Sequence, residues 1–201
     1  MTTQDSQFEV PTWNQLYKLL LKQARIICSS GFKPDVIVGV SRGGLVPARV
    51  LSDLLGNQNI ANVKVECYVG IEESKKVPRL TQSLSADVQG KKVLVVDEVA
   101  DWGKSLRLVT GHVVERGASE VKTATLYYKP RSTFKPDFYG KETNCWVVFP
   151  WEIYETVKSI YESNKSDLAR VEYELAKLSS AGVSKRVING FLKEFSEAMS
   201  C

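Results

Sequence analysis

Apolar and polar positions follow two different periods along the first 130 residues, and the two periods alternate. Segments rich in β-branched and aromatic residues predict four strands, near residues 35–40, 62–69, 92–97 and 121–128. Apolar residues at helical spacing predict three helices, near residues 13–30, 45–55 and 104–116. Strands that alternate with helices usually form a parallel sheet, so the pattern predicts an α/β core.

The last fifty residues carry helical periodicity alone. Three segments show it, separated by polar or glycine-containing breaks, at residues 152–162, 166–178 and 184–199. We therefore expect two parts: a core with residues 1–150 and a C-terminal extension of three helices with residues 151–201.

The composition narrows the class of partner. The 27 basic and 23 acidic residues leave a net charge of +4, without a basic run long enough for a nucleic-acid arm. The cysteines are far apart and lack CxxC spacing, which indicates a reducing compartment and no metal cluster. No signal peptide and no apolar run of membrane length is present. We expect a cytoplasmic protein that binds neither nucleic acid nor membrane.

The segment richest in candidate chemistry runs from Val93 to Leu106. Its valine-rich start predicts a strand buried on both faces, and Asp97 and Glu98 follow at the carboxyl end of that strand. Ligands of parallel α/β sheets bind outside this end, so the carboxylates are expected to meet substrate. Gly103 precedes a helix whose first free amides can hold a phosphate. The segment therefore predicts a site for sugar hydroxyls, Mg2+ and phosphate.

Two other interpretations of this segment are weaker. The acids could be ordinary loop and cap residues, but three carboxylates beside a buried strand cost stability unless something binds them. Gly103, Lys104 and Ser105 also match the end of the nucleotide-binding pattern GxxxxGKS. The first glycine of that pattern would fall where this chain has Glu98, and a carboxylate there would repel the phosphates.

Polar residues follow two more predicted strands. Ser41, Arg42 and Gly43 form a glycine-hinged turn after the strand near residues 35–40 and precede an amphipathic helix. Lys129 follows the strand near residues 121–128, at the same predicted edge of the sheet.

A polar, proline-bearing loop then leads to Trp146 and Val147. An aromatic side chain beside exposed strand-end backbone suits a flat base, since the ring can stack while main-chain groups read the edge of the base. Core packing is the alternative interpretation for Trp146. For Trp151, core packing and a role in the site are equally compatible with the sequence.

Together these segments resemble the type I phosphoribosyltransferases, and in particular their purine branch. The family motif for phosphoribosyl diphosphate (PRPP) has two acids, two residues, and then Asp-Thr-Gly-x-Ser/Thr. The resemblance implies that Asp97 and Glu98 hold the ribose and Mg2+, and that Asp101 is the general base or acid at purine N7. The implied 5-phosphate ligands are Ala100, Asp101, Trp102, Gly103, Lys104 and Ser105. Glu98 departs from the commoner Asp, and Trp102 from the usual Thr.

The resemblance extends to the other segments. In the 6-oxopurine enzymes the turn after the first strand carries a cis non-proline peptide, expected here between Ser41 and Arg42, and it binds pyrophosphate. The implied pyrophosphate ligands are Ser41, Arg42 and Gly43, with Arg42 also catalytic. Lys129, Trp146 and Val147 match the base-binding positions, and Glu152 matches an acid that approaches the metal and pyrophosphate.

A polar stretch between Gly70 and Gly90 is longer than most connections in compact domains. In the family a loop at this place closes over PRPP and excludes water. Lys75, Lys76 and Arg79 could therefore reach a phosphate, although a solvated charge run is the commoner role for each alone.

The resemblance implies transfer of the phosphoribosyl group from PRPP to N9 of a purine base by a homodimer. The helical extension resembles that of crenarchaeal purine enzymes that use adenine, which makes adenine the first candidate. Lys129 favours the alternative, a 6-oxopurine, because an ammonium prefers the O6 acceptor of hypoxanthine, guanine or xanthine. A more distant alternative is a PRPP-sensing regulator without enzyme activity.

Overall fold

The computed structural model of the protein describes residues 7–69 and 76–198. Strands and helices alternate through most of these residues, and three helices follow the last strand. In chain order the elements are β1 (Phe8–Glu9), α1 (Trp13–Ser29), β2 (Val36–Ser41), α2 (Leu45–Leu54), β3 (Ile60–Val69), β4 (Lys76–Gln82), β5 (Lys92–Ala100), α3 (Lys104–Glu115), β6 (Glu120–Tyr128), β7 (Phe138–Glu142), β8 (Trp146–Val147), α4 (Ile153–Asn164), α5 (Leu168–Ser180) and α6 (Lys185–Ala198).

The main sheet has the strand order β4-β3-β2-β5-β6-β7. Its strands run parallel except β4, which pairs antiparallel with β3. The four strands predicted from the sequence correspond to β2, β3, β5 and β6, and the three helices predicted beside them to α1, α2 and α3, so these predictions are confirmed. Because β2, β5 and β6 are parallel neighbours, their carboxyl ends open at one edge of the sheet.

The centre of the sheet is buried on both faces, as the unbroken apolar run of β5 predicted. All four residues at 93–96 have no exposed surface. On one face Val93 and Val95 pack against Leu106, Val109 and Val113 of α3, which recur at helical spacing. The apolar run ends at position 96, so the acids that follow it lie where the core ends.

The polar stretch after β3 contains a strand that its sequence did not predict. β4 occupies residues 76–82 and pairs with the edge of β3, although it has no apolar run of its own. Backbone hydrogen bonds to β3 stabilise β4 in place of an apolar pattern. Every residue of β4 except Pro78 has a backbone N–H donor as well as a carbonyl acceptor. Arg79 lies in this strand, whereas Lys75 is outside the described residues.

The chain forms two compact units, residues 16–144 and residues 1–15 with 145–201. The second unit contains the short parallel sheet of β1 and β8, and α4, α5 and α6, as predicted for the C-terminal residues. Its core includes Val157, Leu178 and Ile188, one from each helix. The functional division at residue 150 stays a prediction. Within the described ranges no helix has the length and apolar character required to cross a membrane.

Candidate active site

The turn after β2 is held close against the sheet. The peptide bond between Ser41 and Arg42 is cis, as predicted. The Gly44 N–H donates to the Val40 carbonyl at 2.8 Å, and a Cβ on Gly44 would collide with the backbone of Val40 and Val96. The turn therefore needs glycine at this close approach, and it leaves the Arg42 side chain exposed at the carboxyl edge of the sheet.

The acid pair lies near the end of β5, and the Glu98 carboxylate faces this turn. The Glu98 backbone N–H donates to Asp97 Oδ1 at 2.9 Å. Burial raises the pKa of the Asp97 carboxyl to about 7, and the hydrogen bond from Glu98 opposes that shift only in part. A Cβ on Gly43 would overlap the Glu98 carboxylate, so the carboxylate lies directly against the turn. Glu98 and the predicted pyrophosphate turn thus border one space.

The predicted phosphate-binding segment enters the first turn of α3. Gly103 precedes the helix with a φ of +73°, a conformation that favours glycine. A Cβ there would also overlap Ser132 and Phe134 of the following loop. The Trp102 carbonyl accepts from the Thr133 N–H at 3.3 Å and from the Thr133 hydroxyl at 3.1 Å. The loop at residues 132–134 therefore supports the segment. The first N–H groups of a helix have no acceptor within the helix, so the start of α3 is suited to an anion.

Asp101 lies between two cationic side chains. Lys129, only 4% exposed, places Nζ 3.5 Å from Asp101 Oδ1, and its N–H donates to the Ala100 carbonyl at 3.1 Å. Arg131 donates to the same Oδ1 through Nε at 2.8 Å and through Nη2. The Arg131 guanidinium also lies 4.7 Å from the centre of the Trp102 ring. A buried ammonium requires an anionic partner, and Asp101 provides it.

Trp146 and Val147 form β8, in the unit of residues 1–15 and 145–201. Val147 is buried, whereas the Trp146 side chain is 53% exposed. The N–H groups of Trp146 and Val148 donate to the carbonyls of Gln7 and Glu9 in the neighbouring chain segment. Because N–H directions alternate along a strand, the Val147 N–H faces the opposite edge of β8. An exposed ring beside an outward backbone edge is the combination expected of a base-binding segment.

Glu152 lies in the same unit, immediately before α4. Its Oε1 accepts from the Phe149 N–H at 3.1 Å, a contact that shapes the loop. Trp151 packs in an aromatic cluster, 4.8 Å from the Phe149 ring and 5.3 Å from the Trp13 ring. Packing therefore accounts for Trp151, whereas an approach of Glu152 to metal or pyrophosphate stays a prediction.

The donors at the end of β5 suit a hard divalent cation. Asp97 and Glu98 supply carboxylate oxygens, the ligand type that Mg2+ prefers. No three His, Cys, Asp or Glu side chains converge on a possible metal position within residues 7–69 and 76–198. Two carboxylates at the sheet edge fit an ion that takes its other ligands from water and substrate oxygens, as Mg2+ commonly does.

Two residues of the site were not predicted from the sequence. Arg131 contacts Asp101, and the Asn62 amide of β3 donates to the Ser41 hydroxyl at 3.2 Å. Arg131 follows Lys129 by two positions in a loop, a weak signal that a second cation reaches the same acid. Asn62 gave no signal, because only the pairing of β2 with β3 brings it to the turn.

The chain is similar to known proteins over most of its length. The family model of the phosphoribosyl transferase domain matches residues 9–156. The xanthine-guanine phosphoribosyltransferase of Gluconobacter oxydans is 31% identical over 157 residues, which cover 75% of this chain and 88% of that protein. The hypoxanthine-guanine phosphoribosyltransferase of Schizosaccharomyces pombe is 26% identical over 181 residues, with 70% and 87% covered.

The solved structures include a match of higher identity. The crystal structure of a purine phosphoribosyltransferase from Pyrococcus horikoshii shares 40% sequence identity with this chain. The TM-score is 0.67, and the match covers 72% of this chain and 93% of that one.

Proposed function

This chain belongs to the phosphoribosyl transferase family, and we propose that it transfers the 5-phosphoribosyl group of PRPP to N9 of a purine base. The products are a purine nucleoside monophosphate and pyrophosphate. The strongest support is the contact of the Glu98 carboxylate with Gly43, which joins Glu98 of the acid pair and the cis turn in one space. A ribose and a diphosphate linked by a single bond require two such neighbouring sites.

Three segments hold PRPP: the end of β5, the turn after β2 and the start of α3. Asp97 and Glu98 accept hydrogen bonds from the ribose hydroxyls, and Ser41, Arg42 and the Gly43 amide bind the diphosphate. The 5-phosphate occupies the start of α3, bound by backbone and hydroxyl groups of residues 100–105. Asp97 and Glu98 would hold Mg2+, which would supply positive charge to offset that of the departing pyrophosphate.

The reaction breaks the bond between ribose C1 and the pyrophosphate oxygen and forms a bond between C1 and base N9. Arg42 and the turn amides stabilise the negative charge that the leaving pyrophosphate takes with it. Asp101 accepts the proton that the base loses at N7 as N9 attacks. The sites around PRPP orient C1 toward the base, which converts a reaction between two molecules into one within a complex.

A 6-oxopurine is the base that the site favours. Lys129 is buried beside Asp101 and carries an ammonium, a donor that suits the O6 acceptor of guanine, hypoxanthine or xanthine. The relatives from Gluconobacter oxydans and Schizosaccharomyces pombe are named for these bases. Adenine presents an amino group at the same position and leaves the ammonium only N7 to bind. The assignment of Trp146 and Val147 to stacking and backbone contacts with the base stays a prediction from the family resemblance.

The direct test is nucleotide formation from PRPP and Mg2+ with guanine, hypoxanthine, xanthine and adenine in separate reactions. We expect at least one 6-oxopurine to be converted with a higher kcat/KM than adenine. A preference for adenine would overturn the choice of base, and no product from any base would overturn the transferase function. Steep salt-dependent binding to DNA without nucleotide synthesis would indicate a regulator instead.

Two substitutions connect the activity to the proposed residues. Asp101→Ala and Arg42→Ala should each lower kcat/KM by about a hundredfold or more, because each removes a group that acts in the transition state. Arg49→Ala is the matched control for Arg42, since Arg49 is an exposed arginine on the neighbouring α2. Turnover near that of the wild type in both Asp101→Ala and Arg42→Ala would contradict the assignment.

A further inference from the structure

The loop after Lys129 places an arginine on the proposed general base. We propose that Arg131, anchored by the Trp102 ring, is a positioning residue that orients Asp101 toward the purine. The inference rests on the proposed function, in which Asp101 accepts the proton of the base. Arg131 itself acts through Asp101 and has no contact with the base in this mechanism.

The contacts of Asp101 are one-sided. Arg131 Nε and Nη2 both donate to Asp101 Oδ1, with Nε at 2.8 Å. Lys129 Nζ lies 3.5 Å from the same oxygen. None of these contacts uses Oδ2, and a third of the Asp101 side chain remains exposed. The carboxylate group is planar. Contacts that hold its Oδ1 therefore also restrict the direction in which its Oδ2 points. Arg131 therefore sets the direction in which Oδ2 meets a substrate proton.

An exposed arginine needs a second contact to perform this task. The Arg131 side chain is 45% exposed, and an ion pair in such a position is weak because both side chains lose freedom in forming it. The Trp102 ring, 4.7 Å from the guanidinium, offers a flat surface over which the planar group can lie. Trp102 is in turn held by its carbonyl, which accepts two hydrogen bonds from Thr133.

This arrangement gives a reason for the unusual residue of the motif. The motif usually has Thr where this chain has Trp102, so the hydroxyl that would bind the 5-phosphate is absent. The backbone at position 102 can still bind phosphate, while the ring now supports Arg131. Compared with Thr, Trp102 lacks one hydroxyl contact to the phosphate. Its ring instead supports Arg131, which positions Asp101.

The first test is the effect of Arg131→Gln on kcat and on the KM for PRPP. We expect kcat to fall by about 10- to 100-fold, because a misdirected base loses part of general-base catalysis. The KM for PRPP should stay within about twofold, since Arg131 does not contact PRPP. In the Asp101→Asn background, Arg131→Gln should cause almost no further loss. Equal losses in the two backgrounds, or an unchanged kcat in the single variant, would overturn the inference.

Lys135→Gln is the matched control. Lys135 is an exposed cation of the same loop and lies near the rings of Tyr128 and Tyr139, but it has no contact with Asp101. The substitution Lys135→Gln should therefore leave kcat unchanged. Arg131→Lys keeps the charge and loses the planar fork, so its kcat should lie between those of the wild type and Arg131→Gln. If Arg131→Gln does not fold, the Arg131→Lys variant decides the question in the same two backgrounds.

The second test concerns the ring. Trp102→Leu should lower kcat as Arg131→Gln does, and Trp102→Phe, which keeps a flat ring, should lower kcat less than Trp102→Leu. In the Arg131→Gln background, Trp102→Leu should cause no further fall in kcat. A Leu variant as active as the Phe variant would remove Trp102 from the inference. No turnover by the wild type would instead refute the proposed function, so failures of the two proposals are distinct.

Discussion

At the scale of single residues, Asp97 shows how a position in the fold changes the chemistry of a side chain. The carboxyl follows four fully buried residues and is itself half-buried. Burial raises its pKa to about 7, with one backbone hydrogen bond in opposition. The native protein therefore binds a proton at Asp97 more tightly than the unfolded chain does. In the proposed function, this proton would have to leave before Asp97 binds ribose hydroxyls and Mg2+.

The first prediction is a pH dependence of stability that Asp97→Asn removes. Between the unfolded pKa of about 4 and the native pKa of about 7, the native state holds the extra proton, so stability falls as pH rises. At 1.36 kcal/mol per unit, the full shift implies about 4 kcal/mol, and solvation of the half-buried carboxyl reduces this to about 2 kcal/mol.

Urea denaturation of the wild type and Asp97→Asn at several pH values from 4 to 8 measures this effect. The difference between the two free energies of unfolding isolates Asp97 from the other titrating groups. We expect the variant to gain stability relative to the wild type as pH rises through this window. A difference that does not change with pH would show that Asp97 keeps an ordinary pKa.

At the scale of elements, two turns at the sheet edge depend on glycines for different reasons. Gly43 and Gly44 lie in the turn between β2 and α2, and neither has a positive φ. Gly44 lies against the backbone of Val40 and Val96, whereas Gly43 lies against the carboxylate of Glu98, the end of a flexible side chain. Gly103, before α3, combines a positive φ with close contact to the loop at residues 132–134.

The second prediction separates Gly43 from Gly44. In Gly43→Ala the three atoms nearest to the new Cβ all belong to the Glu98 carboxylate, the end of a flexible side chain. The melting temperature should therefore change little while the KM for PRPP rises. Gly44→Ala meets the backbone of Val40 and Val96, which cannot move aside, and should cost about 2 kcal/mol or more. Thermal melting and steady-state kinetics of both variants provide the measurement. A large stability loss in Gly43→Ala with unchanged KM would contradict the placement of Glu98.

The third prediction concerns the start of α3. Gly103→Ala should cost about 2 kcal/mol or more and weaken PRPP binding, because the new Cβ is strained by φ and overlaps Ser132 and Phe134. Gly111→Ala is the control within the same helix, where a Cβ meets no atom within 4 Å. It should raise stability by about 0.5–1 kcal/mol through helix propensity. Equal melting temperatures for the two variants would refute the assigned role of Gly103.

At the scale of the whole molecule, residues far apart in the chain meet because parallel strands end at one edge. Position 43 follows β2, position 98 lies in β5, and position 129 follows β6. The order β2-β5-β6 makes these strands neighbours, although α2, β3 and β4 intervene in the chain. The second unit has its own core, formed by α4, α5 and α6 with Val148 and Val183.

The fourth prediction is a magnesium-dependent stabilisation by PRPP. A ligand that binds only the native state at about 100 times its Kd adds about 2.7 kcal/mol to the free energy of unfolding. For a chain of this size the melting temperature should rise by about 5–10 °C. Addition of EDTA should reduce the shift sharply, and EDTA alone should leave the melting temperature unchanged. An equal shift with and without Mg2+ would exclude joint binding of the metal and PRPP.

Prediction from the sequence succeeded where the signal is local. β5 was recognised because its apolar run is continuous, and the turn at Ser41 because a glycine pair separates a strand from an amphipathic helix. β4 was missed because an edge strand needs a backbone partner more than an apolar pattern, and that partner lies in β3. β1 was missed for the same reason, since its two residues pair with β8 far along the chain.

The sequence by itself determined four of the six strands of the main sheet with the helices beside them, the family resemblance and the residue types at the sheet edge. Periodicity and motif spacing are properties of neighbouring residues. Only the tertiary structure decided that Glu98 lies against Gly43 and that Arg131 joins Asp101 to the Trp102 ring. Only burial in the fold decided the raised pKa of Asp97. These features depend on strand order, side-chain direction and exclusion of water, which arise when distant segments pack together.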